Sequence, residues 1–550
     1  MRRKTALRTI TVVALLVLFP ASEALAWGPN AKSAIINTAI HMTRRVHNEA
    51  FRSLGHGETY RPHAQVYDGD VVRGTHAGLD AIREISPPIS EEMAIAEVER
   101  QIQILRAVRD DGTGSYFAYR MGALGALVAN LMFPYGIPRT EAEETLSRQL
   151  IEDVEDRLRE FPFQARRQGR IAIDVPTEYF RRQRAFHQQA MQVIASDYQQ
   201  SRGYDGYMNN AAPRLFSSSI EAVTDAWHTV LRSQAPLEGQ PATREELTWF
   251  YTDEIEYLLN VRGHARGADE AYRKFQRVNP GLYAPFEEIG DAFYAFGDHE
   301  RAVREWEYAL NLDGADRRRV AQKLAGHFMD LGLDALAIAE SEPTRREEAL
   351  EEAQWAFRNV LRYDPRDDQA PELMGEVNAM AQEHREQLRM VTQIMSGAES
   401  VLSEARSDVE AGDYGAAFSA FFRARELYES VGSDFPDHYR QAQERLREIE
   451  VAVRRGVERL LDDAYEALAD GRDAVNAQNF DAARDYYRLA REIADEIPVE
   501  EDDAFSEDQR ELLDEVSEAL DEAQAAEQQW QQQQQQQQQQ GDGQQAPQQF

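Results

Sequence analysis

Apolar residues recur at the spacing of helices along most of this chain, with little of the strict alternation that predicts strands. Ser90 has the position of an N-cap, because it directly precedes an apolar helix face. A loop rich in Gly, His, Tyr and Asp is predicted over 55–75. The pattern therefore predicts an all-α fold, with N-terminal helices over 34–42, from residue 90 onwards, and over 116–133, 141–161, 177–200 and 213–232.

The stretch 116–133 is the most apolar part of the chain after the N-terminal run at 10–19, and it predicts a buried central helix. Pro134 ends this helix, because proline cannot continue the backbone hydrogen-bond ladder. Small residues let neighbouring helices approach closely, and this helix contains several of them: Gly122, Ala123, Gly125, Ala126 and Ala129.

A second pattern begins after a Pro-, Gly- and Gln-rich linker at 233–242. Small and aromatic residues there recur with a period of about 34 residues, at Ala268, Tyr272 and Phe275 and again at Ala302, Trp306 and Ala309. This spacing resembles that of tetratricopeptide repeats, in which small residues lie where two antiparallel helices touch and aromatic residues fill the gaps. We assign 243–366 to such repeats, with an insertion at 335–348 in a longer third unit.

The pattern loosens after residue 366 but persists. Segments 412–424 and 479–490 each place small and aromatic residues after a turn, so we predict divergent, long helical hairpins over 367–499. Coiled-coil packing is the alternative, although small-plus-aromatic contacts fit repeats better than a strict apolar heptad does. The remainder, 500–550, is an acidic and Gln-rich tail that we predict to be largely disordered, apart from one polar helix.

Residues 1–26 have the pattern of a signal peptide, with a basic start, a short apolar run and a small-x-small cleavage site. No later stretch is apolar enough to be a transmembrane segment, so we expect a periplasmic or secreted protein. The chain contains no Cys, which excludes disulfides, thiolate metal ligands and a Cys nucleophile. Its net charge of −35 disfavours nucleic acid as a partner and is compatible with either a basic partner or a salty habitat.

Candidate metal chemistry begins at the cleavage site, because cleavage would make Trp27 the new N-terminus. His41 follows on the first predicted helix, and Asp68, Asp70 and His76 follow in or beside the predicted loop. In type and order these residues resemble the zinc-dependent phospholipase C family and the related single-strand-specific nucleases. In that family the N-terminal Trp binds zinc through its amine and carbonyl. The resemblance implies zinc as a cofactor and these candidate ligands: Trp27, His41, Asp68, Asp70 and His76.

The resemblance covers residues 27–232, which we assign to a helical domain of this type, but it fails at the central helix. When Gly122 and Pro134 are placed on the family's Gly and Pro, three metal-binding positions are occupied by Ala126, Asn130 and Gly136. A metal site needs several imidazole or anionic ligands to offset the dehydration of the ion. We therefore predict that zinc binding is weak or absent.

These observations leave the question of enzyme activity open. Our leading prediction is an exported interaction scaffold, whose helical repeats bind a protein or peptide partner. Its N-terminal domain would keep the fold of a metallo-phosphodiesterase without its full chemistry. The alternative is an active metal-dependent phosphodiesterase, of the phospholipase C or nuclease type, with a reduced metal site. In a third interpretation, the N-terminal domain is only a rigid cap for the repeats.

Overall fold

The computed structural model describes residues 27–44, 65–83, 85, 89–158, 170–232, 237–498 and 504–542. These residues are 84% helical, with 18 α-helices and no β-strand, which confirms the all-α prediction. Within this part of the chain, every helix is too short or too polar to serve as a membrane span. The chain divides into two compact units, Met1–Ala321 and Gln322–Phe550.

Helices α1 to α7 form an N-terminal bundle in the first unit. The Ser90 hydroxyl accepts a hydrogen bond from the N–H of Met93, which confirms the predicted N-cap of α3. The predicted central helix is α4, which is buried along nearly its whole length. The bounds are α1 (Pro29–Arg44), α2 (Gln65–Ala77), α3 (Glu91–Arg109), α4 (Ser115–Met132), α5 (Glu141–Arg157), α6 (Pro176–Gln199) and α7 (Tyr207–Leu231).

Two helical hairpins complete the first unit, and further hairpins with longer helices form the second. In the first unit these are α8 (Arg244–Glu256) with α9 (Ala265–Val278), and α10 (Tyr283–Phe296) with α11 (His299–Leu310). A π-helical segment, Tyr257–Val261, extends α8. The boundary between the units lies inside α12 (Arg317–Ser341). The remaining helices are α13 (Arg346–Tyr363), α14 (Gln369–Ala411), α15 (Tyr414–Glu429), α16 (Pro436–Asn476), α17 (Phe480–Asp495) and α18 (Ala504–Asp542).

Helices α2 and α4 touch at their backbones. A Cβ atom on Gly74 would lie 1.8 Å from the carbonyl oxygen of Tyr119, and one on Gly122 would lie 2.0 Å from that of Val71. Only glycine permits this approach, as the small residues of α4 predict. The loop prediction is wrong for 65–75, which belongs to α2, because Gly74 allows helix packing there rather than a turn. The preceding part of the predicted loop lies outside the described residues.

Four pairs of consecutive helices place a glycine of one helix against an aromatic ring of the other. A Cβ atom on Gly290 would lie 2.5 Å from the Trp306 ring. A Cβ atom on Gly332 would lie 2.6 Å from the Phe357 ring. The second unit repeats the contact twice more, at 2.9 Å and 2.3 Å, between Gly456 and Phe418 and between Gly471 and Tyr487. The helices therefore pack in a repeat-like way, with the small-plus-aromatic contacts that the sequence predicts.

The turns into α11, α15 and α17 share one geometry. The residue before each cap has a positive φ, which is 94° at Gly297, 82° at Gly412 and 64° at Gln478. The next residue is Asp298, Asp413 or Asn479, and its side chain accepts a hydrogen bond from the first turn of the helix. Segments 412–424 and 479–490, which the sequence pairs in the second unit, thus begin with the same turn and N-cap geometry.

Helix α18 contains the one polar helix predicted in the tail, over about 507–528, and continues into the glutamine run, where disorder is predicted. Its first half is stable because Leu512, Val516, Ala519 and Ala523 are buried against α16 and α17. The side chains of the glutamine run are exposed over 531–537. The predicted insertion at 335–348 also begins as helix. Its first residues lengthen α12, and Ala335 and Ala339 are buried there.

Candidate functional site

Trp27 lies in the core of the N-terminal bundle, with only 1% of its surface exposed. Its indole N–H donates a 3.1 Å hydrogen bond to the hydroxyl of Ser219 on α7. Its ring packs against Phe133 and Phe216, with centroids 4.9 Å and 5.4 Å away. The side chain of Trp27 is therefore a packing group, and only its backbone amine and carbonyl are left for the role that the resemblance implies.

Glu155 on α5 reaches the start of α1, a contact that the sequence does not predict. Its Oε1 accepts a 2.8 Å hydrogen bond from the N–H of Ala31. A Cβ atom on Gly28 would collide with the same carboxylate. A carboxylate at a helix N-terminus is favourable, because it pairs with free N–H groups and with the positive end of the helix dipole.

The two candidate histidines are both exposed. His41 lies on α1, and His76 lies in the last turn of α2. Asp68 lies in the first turn of α2, and its side chain is outside the described set. Asp70 and His76 belong to the same helix but to different faces, since Asp70 is buried and His76 is not. Among the side chains that the structure describes, these candidates do not form a group of three that could hold a metal ion.

Asp70 is fully buried, and protein groups bind one oxygen of its carboxylate, whereas the buried Oδ2 has no hydrogen-bond partner among the described residues. Its Oδ1 accepts hydrogen bonds from the hydroxyl of Tyr257 at 2.7 Å and from the guanidinium of Arg73 at 2.8 Å. Arg262 lies 3.7 Å away, so two cations offset the charge. Burial raises the pKa of Tyr257, and the hydrogen bond to Asp70 and its negative charge raise it further. The hydroxyl therefore keeps the proton that it donates.

Three further positions, which the resemblance assigns to metal ligands, hold side chains of other types. In the described part of the chain, no three His, Asp or Glu side chains form a group that could hold a metal ion. At the positions of the family's ligands, Ala126 is fully buried and Asn130 has a buried Oδ1 without a hydrogen-bond partner. A Cβ atom on Gly136 would lie 1.9 Å from the carbonyl oxygen of Asn130. An imidazole at this position would therefore require the backbone to move.

A partly exposed ionic network joins the bundle to the first two hairpins, across the predicted linker. The guanidinium of Arg83 pairs with Asp253 on α8 at 2.5 Å and with Glu288 on α10 at 2.6 Å. The same guanidinium lies over the ring of Trp249, 4.3 Å from its centroid. The Tyr116 hydroxyl of α4 donates a 3.2 Å hydrogen bond to Asp253. Burial raises the pKa of Asp253, and the positive charges of Arg83 and Arg120 oppose this rise.

Arg184 is a fully buried arginine of α6. Its Nε donates a 2.9 Å hydrogen bond to Glu91. Its terminal nitrogens donate to the carbonyls of Leu131, Phe133 and Pro134 at the end of α4. This arginine therefore satisfies the carbonyl groups that a helix C-terminus leaves free, rather than binding phosphate.

His187 and Ser218 are the one His–Ser contact that invites a catalytic interpretation among the described residues. The Nε2 of His187 lies 2.9 Å from the hydroxyl of Ser218. The same hydroxyl lies 3.0 Å from the carbonyl oxygen of Leu215, so this carbonyl competes with the imidazole for its single proton. Burial lowers the pKa of His187 to about 3, which keeps the ring neutral. The pair therefore supports packing rather than nucleophilic catalysis.

Several clefts open on the surface of the described helices. One cleft, of about 680 Å³, lies between α5 and α6 and is lined mainly by glutamine and apolar side chains. In the second unit, arginine and apolar side chains from α14, α15 and α16 line a cleft of about 420 Å³. A cleft of about 450 Å³ lies among α9, α10 and α11, and it combines aromatic rings with the carboxylate of Glu305.

No protein-family model and no curated protein matches this chain. The resemblance to zinc phospholipases therefore stays a hypothesis that depends on the sequence motifs alone. Asp70, which the motif marks as a metal ligand, is instead part of a network with Arg73, Arg262 and Tyr257. The functional argument below consequently starts from the packing of the helices and from their surface clefts.

Proposed function

We propose that this protein is an exported interaction scaffold that binds a protein or peptide partner through its tetratricopeptide-type helical hairpins. The observation that supports this proposal best is the recurring glycine–ring contact, which appears between Gly290 and Trp306 and three more times in the second unit. Arrays of such hairpins expose extended surfaces formed by successive helices, and these surfaces are typical binding sites. The clefts among α9 to α11 and α14 to α16 lie on these helices.

In this proposal the N-terminal bundle is a cap that covers the first hairpin. Repeat arrays need capping elements, because a terminal repeat would otherwise expose its apolar face. The contacts of Arg83 with Asp253 and Glu288, and of Asp70 with Tyr257, support this role. The bundle is then a structural relative of a metallo-phosphodiesterase whose chemistry has been lost.

The alternative, an active metal-dependent phosphodiesterase, receives no support from the described donors. It would need a water activated by a metal at Trp27, His41, Asp70 and His76. The carboxylate of Asp70 is engaged by Tyr257 and Arg73, and both histidines are exposed. Zinc in this account is weakly bound or absent.

Two measurements on the purified chain from residue 27 onwards test the proposal. The first is its metal content together with hydrolysis of a phosphodiester substrate, where we expect less than about one zinc per chain and no turnover. The second is affinity capture from the exported fraction of the source organism, where we expect a partner in a fixed ratio to the chain. Stoichiometric zinc with hydrolysis that Asp70→Asn abolishes, and no captured partner, would overturn the scaffold proposal.

A further inference from the structure

The cleft among α9, α10 and α11 combines aromatic walls with one carboxylate. Tyr272 of α9, Phe286 of α10 and Tyr308 of α11 contribute the rings, and Glu305 of α11 contributes the carboxylate. The rings of Phe286 and Tyr308 are 4.5 Å apart and tilted by 60°. Tyr308 is 53% exposed, so part of its ring is available to a ligand.

Among the described residues, no arginine or lysine forms a direct ion pair with Glu305, although Arg301 and Arg304 act on it from a distance. The hydroxyl of Tyr272 donates to both of its oxygens, at 2.8 Å and 2.9 Å. The two nearby arginines are paired elsewhere, Arg301 with Asp269 and Asp298 and Arg304 with Glu300. Burial raises the pKa of Glu305, although Tyr272 and both arginines oppose the rise. Its carboxylate is therefore undercompensated for its degree of burial.

We propose that this cleft receives an arginine or lysine side chain of a basic protein partner, a step that rests on the scaffold function proposed above. The cationic group would pair with the carboxylate of Glu305 and lie against the ring of Tyr308. The net charge of −35 would draw such a partner toward the chain by long-range attraction. Of the two explanations that the sequence leaves open for this acidity, the proposal favours a basic partner over a salty habitat.

Arg304 makes the charge balance of the cleft testable, because it also lines the cleft. Its side chain is 61% exposed and lies 3.6 Å from Glu300. A bound cation would be repelled by Arg304 and attracted by Glu305. Arg304→Gln should therefore strengthen binding of a cation, whereas Glu305→Gln should weaken it. A ligand held by shape alone would not respond to the two variants in opposite directions.

The probe is a blocked pentapeptide with a single arginine between glycine and serine residues, titrated into the full chain at low ionic strength by calorimetry. Its partner probe carries citrulline, which has the same shape without the charge. We expect the citrulline peptide and the Glu305→Gln variant each to weaken binding by about tenfold. Tyr308→Ala should weaken it by about threefold, as loss of an exposed cation–π contact does.

The matched control is Glu270→Gln, which removes an exposed carboxylate of α9 that does not line the cleft. We expect this variant to bind like the wild type, and circular dichroism melting checks that all variants are folded. Equal binding of the two peptides, or equal losses in Glu270→Gln and Glu305→Gln, would overturn the proposal, because attraction would then be shape-driven or diffuse. Absence of any arginine binding at low ionic strength would also overturn it.

Partner capture separates this inference from the scaffold function on which it rests. If the wild type captures a partner and the Glu305→Gln, Tyr308→Ala double variant captures it equally well, the cleft is not the binding site and the scaffold stands. If the wild type captures nothing, the scaffold function fails irrespective of how the peptides bind. Loss of capture in the double variant alone supports both.

Discussion

The hydroxyl of Tyr257 donates a 2.7 Å hydrogen bond to the buried carboxylate of Asp70, although the two residues are 187 positions apart in the chain. Tyr257 lies in the π-helical segment that extends α8, and Asp70 lies in α2. A residue that the sequence marks as a metal ligand thus serves as an anchor for the first hairpin. This one contact therefore bears both on the predicted metal chemistry and on the fold.

Removing this hydrogen bond should destabilise the first unit. Tyr257→Phe leaves the ring in place and deprives Asp70 of a donor, so we expect a loss of about 1–3 kcal/mol in the free energy of unfolding. Urea denaturation followed by circular dichroism measures it, and a double-mutant cycle with Asp70→Asn should show coupling between the two residues. Metal content should not change. A loss of zinc in Asp70→Asn with no effect of Tyr257→Phe on stability would contradict the structural role.

The contact between α2 and α4 leaves no room for one additional methyl group. Gly122→Ala would push a Cβ atom onto the carbonyl of Val71 and force the helices apart, at a cost of about 3 kcal/mol or more. Gly69→Ala is the matched control, because a Cβ atom at Gly69 meets no described atom within 4 Å. Alanine has the higher helix propensity, so this control should gain up to about 1 kcal/mol. Thermal melting measures the stability of both variants. Equal melting temperatures would contradict the close packing of α2 and α4.

Helix α12 offers the same comparison within a hairpin of the second unit. Gly332→Ala would place a Cβ atom 2.6 Å from the ring of Phe357, so we expect a loss of about 1–3 kcal/mol. Gly326→Ala, on the same helix, meets no neighbour within 4 Å and should be neutral or stabilising. Denaturant midpoints decide between these outcomes. Equal stability of the two variants would show that the glycine–ring contact does not hold the hairpin.

The buried carboxyl group of Glu254 should make the stability of the fold depend on pH in a definite direction. Its side chain is buried on α8, its Oε2 has no hydrogen-bond partner, and Lys274 lies 3.9 Å away. Burial raises the pKa of Glu254 and Lys274 opposes this rise. A carboxyl with a raised pKa stabilises the fold when protonated, and this contribution is lost as the pH rises through the folded-state value.

Glu254→Gln mimics the protonated form, so it should raise Tm relative to the wild type at about pH 7 and lose this advantage below about pH 4. Melting curves at the two pH values measure the difference. Glu300→Gln is the control, because its carboxylate is 86% exposed and should give no such pH dependence. An advantage of Glu254→Gln that grows toward low pH would refute the burial argument.

The periodic parts of the fold could be read from the sequence. The central helix was predicted over 116–133 and is observed at Ser115–Met132, because an unbroken apolar run ended by proline is a strong local signal. The glycine–ring pair of Gly290 and Trp306 follows from the repeat spacing for the same reason. In these places local pattern and tertiary packing agree.

The site residues could not be placed from the sequence, because their partners are distant in the chain. Nothing near Asp70 indicates that Tyr257 and Arg262 will reach it, and nothing near Glu91 indicates Arg184. The glycines around residue 70 suggested a loop, whereas Gly74 allows two helix backbones to touch. Such contacts depend on tertiary structure, which overrides the local preference of the chain.

The glycine–ring contacts also bear on how the chain reaches its fold. Each of the four pairs joins helices that follow one another in sequence, so the loops that must close are short. Such a topology has a low contact order and favours rapid folding. Each hairpin can form before its neighbour is complete, and whole hairpins can be gained or lost during evolution without rebuilding the others.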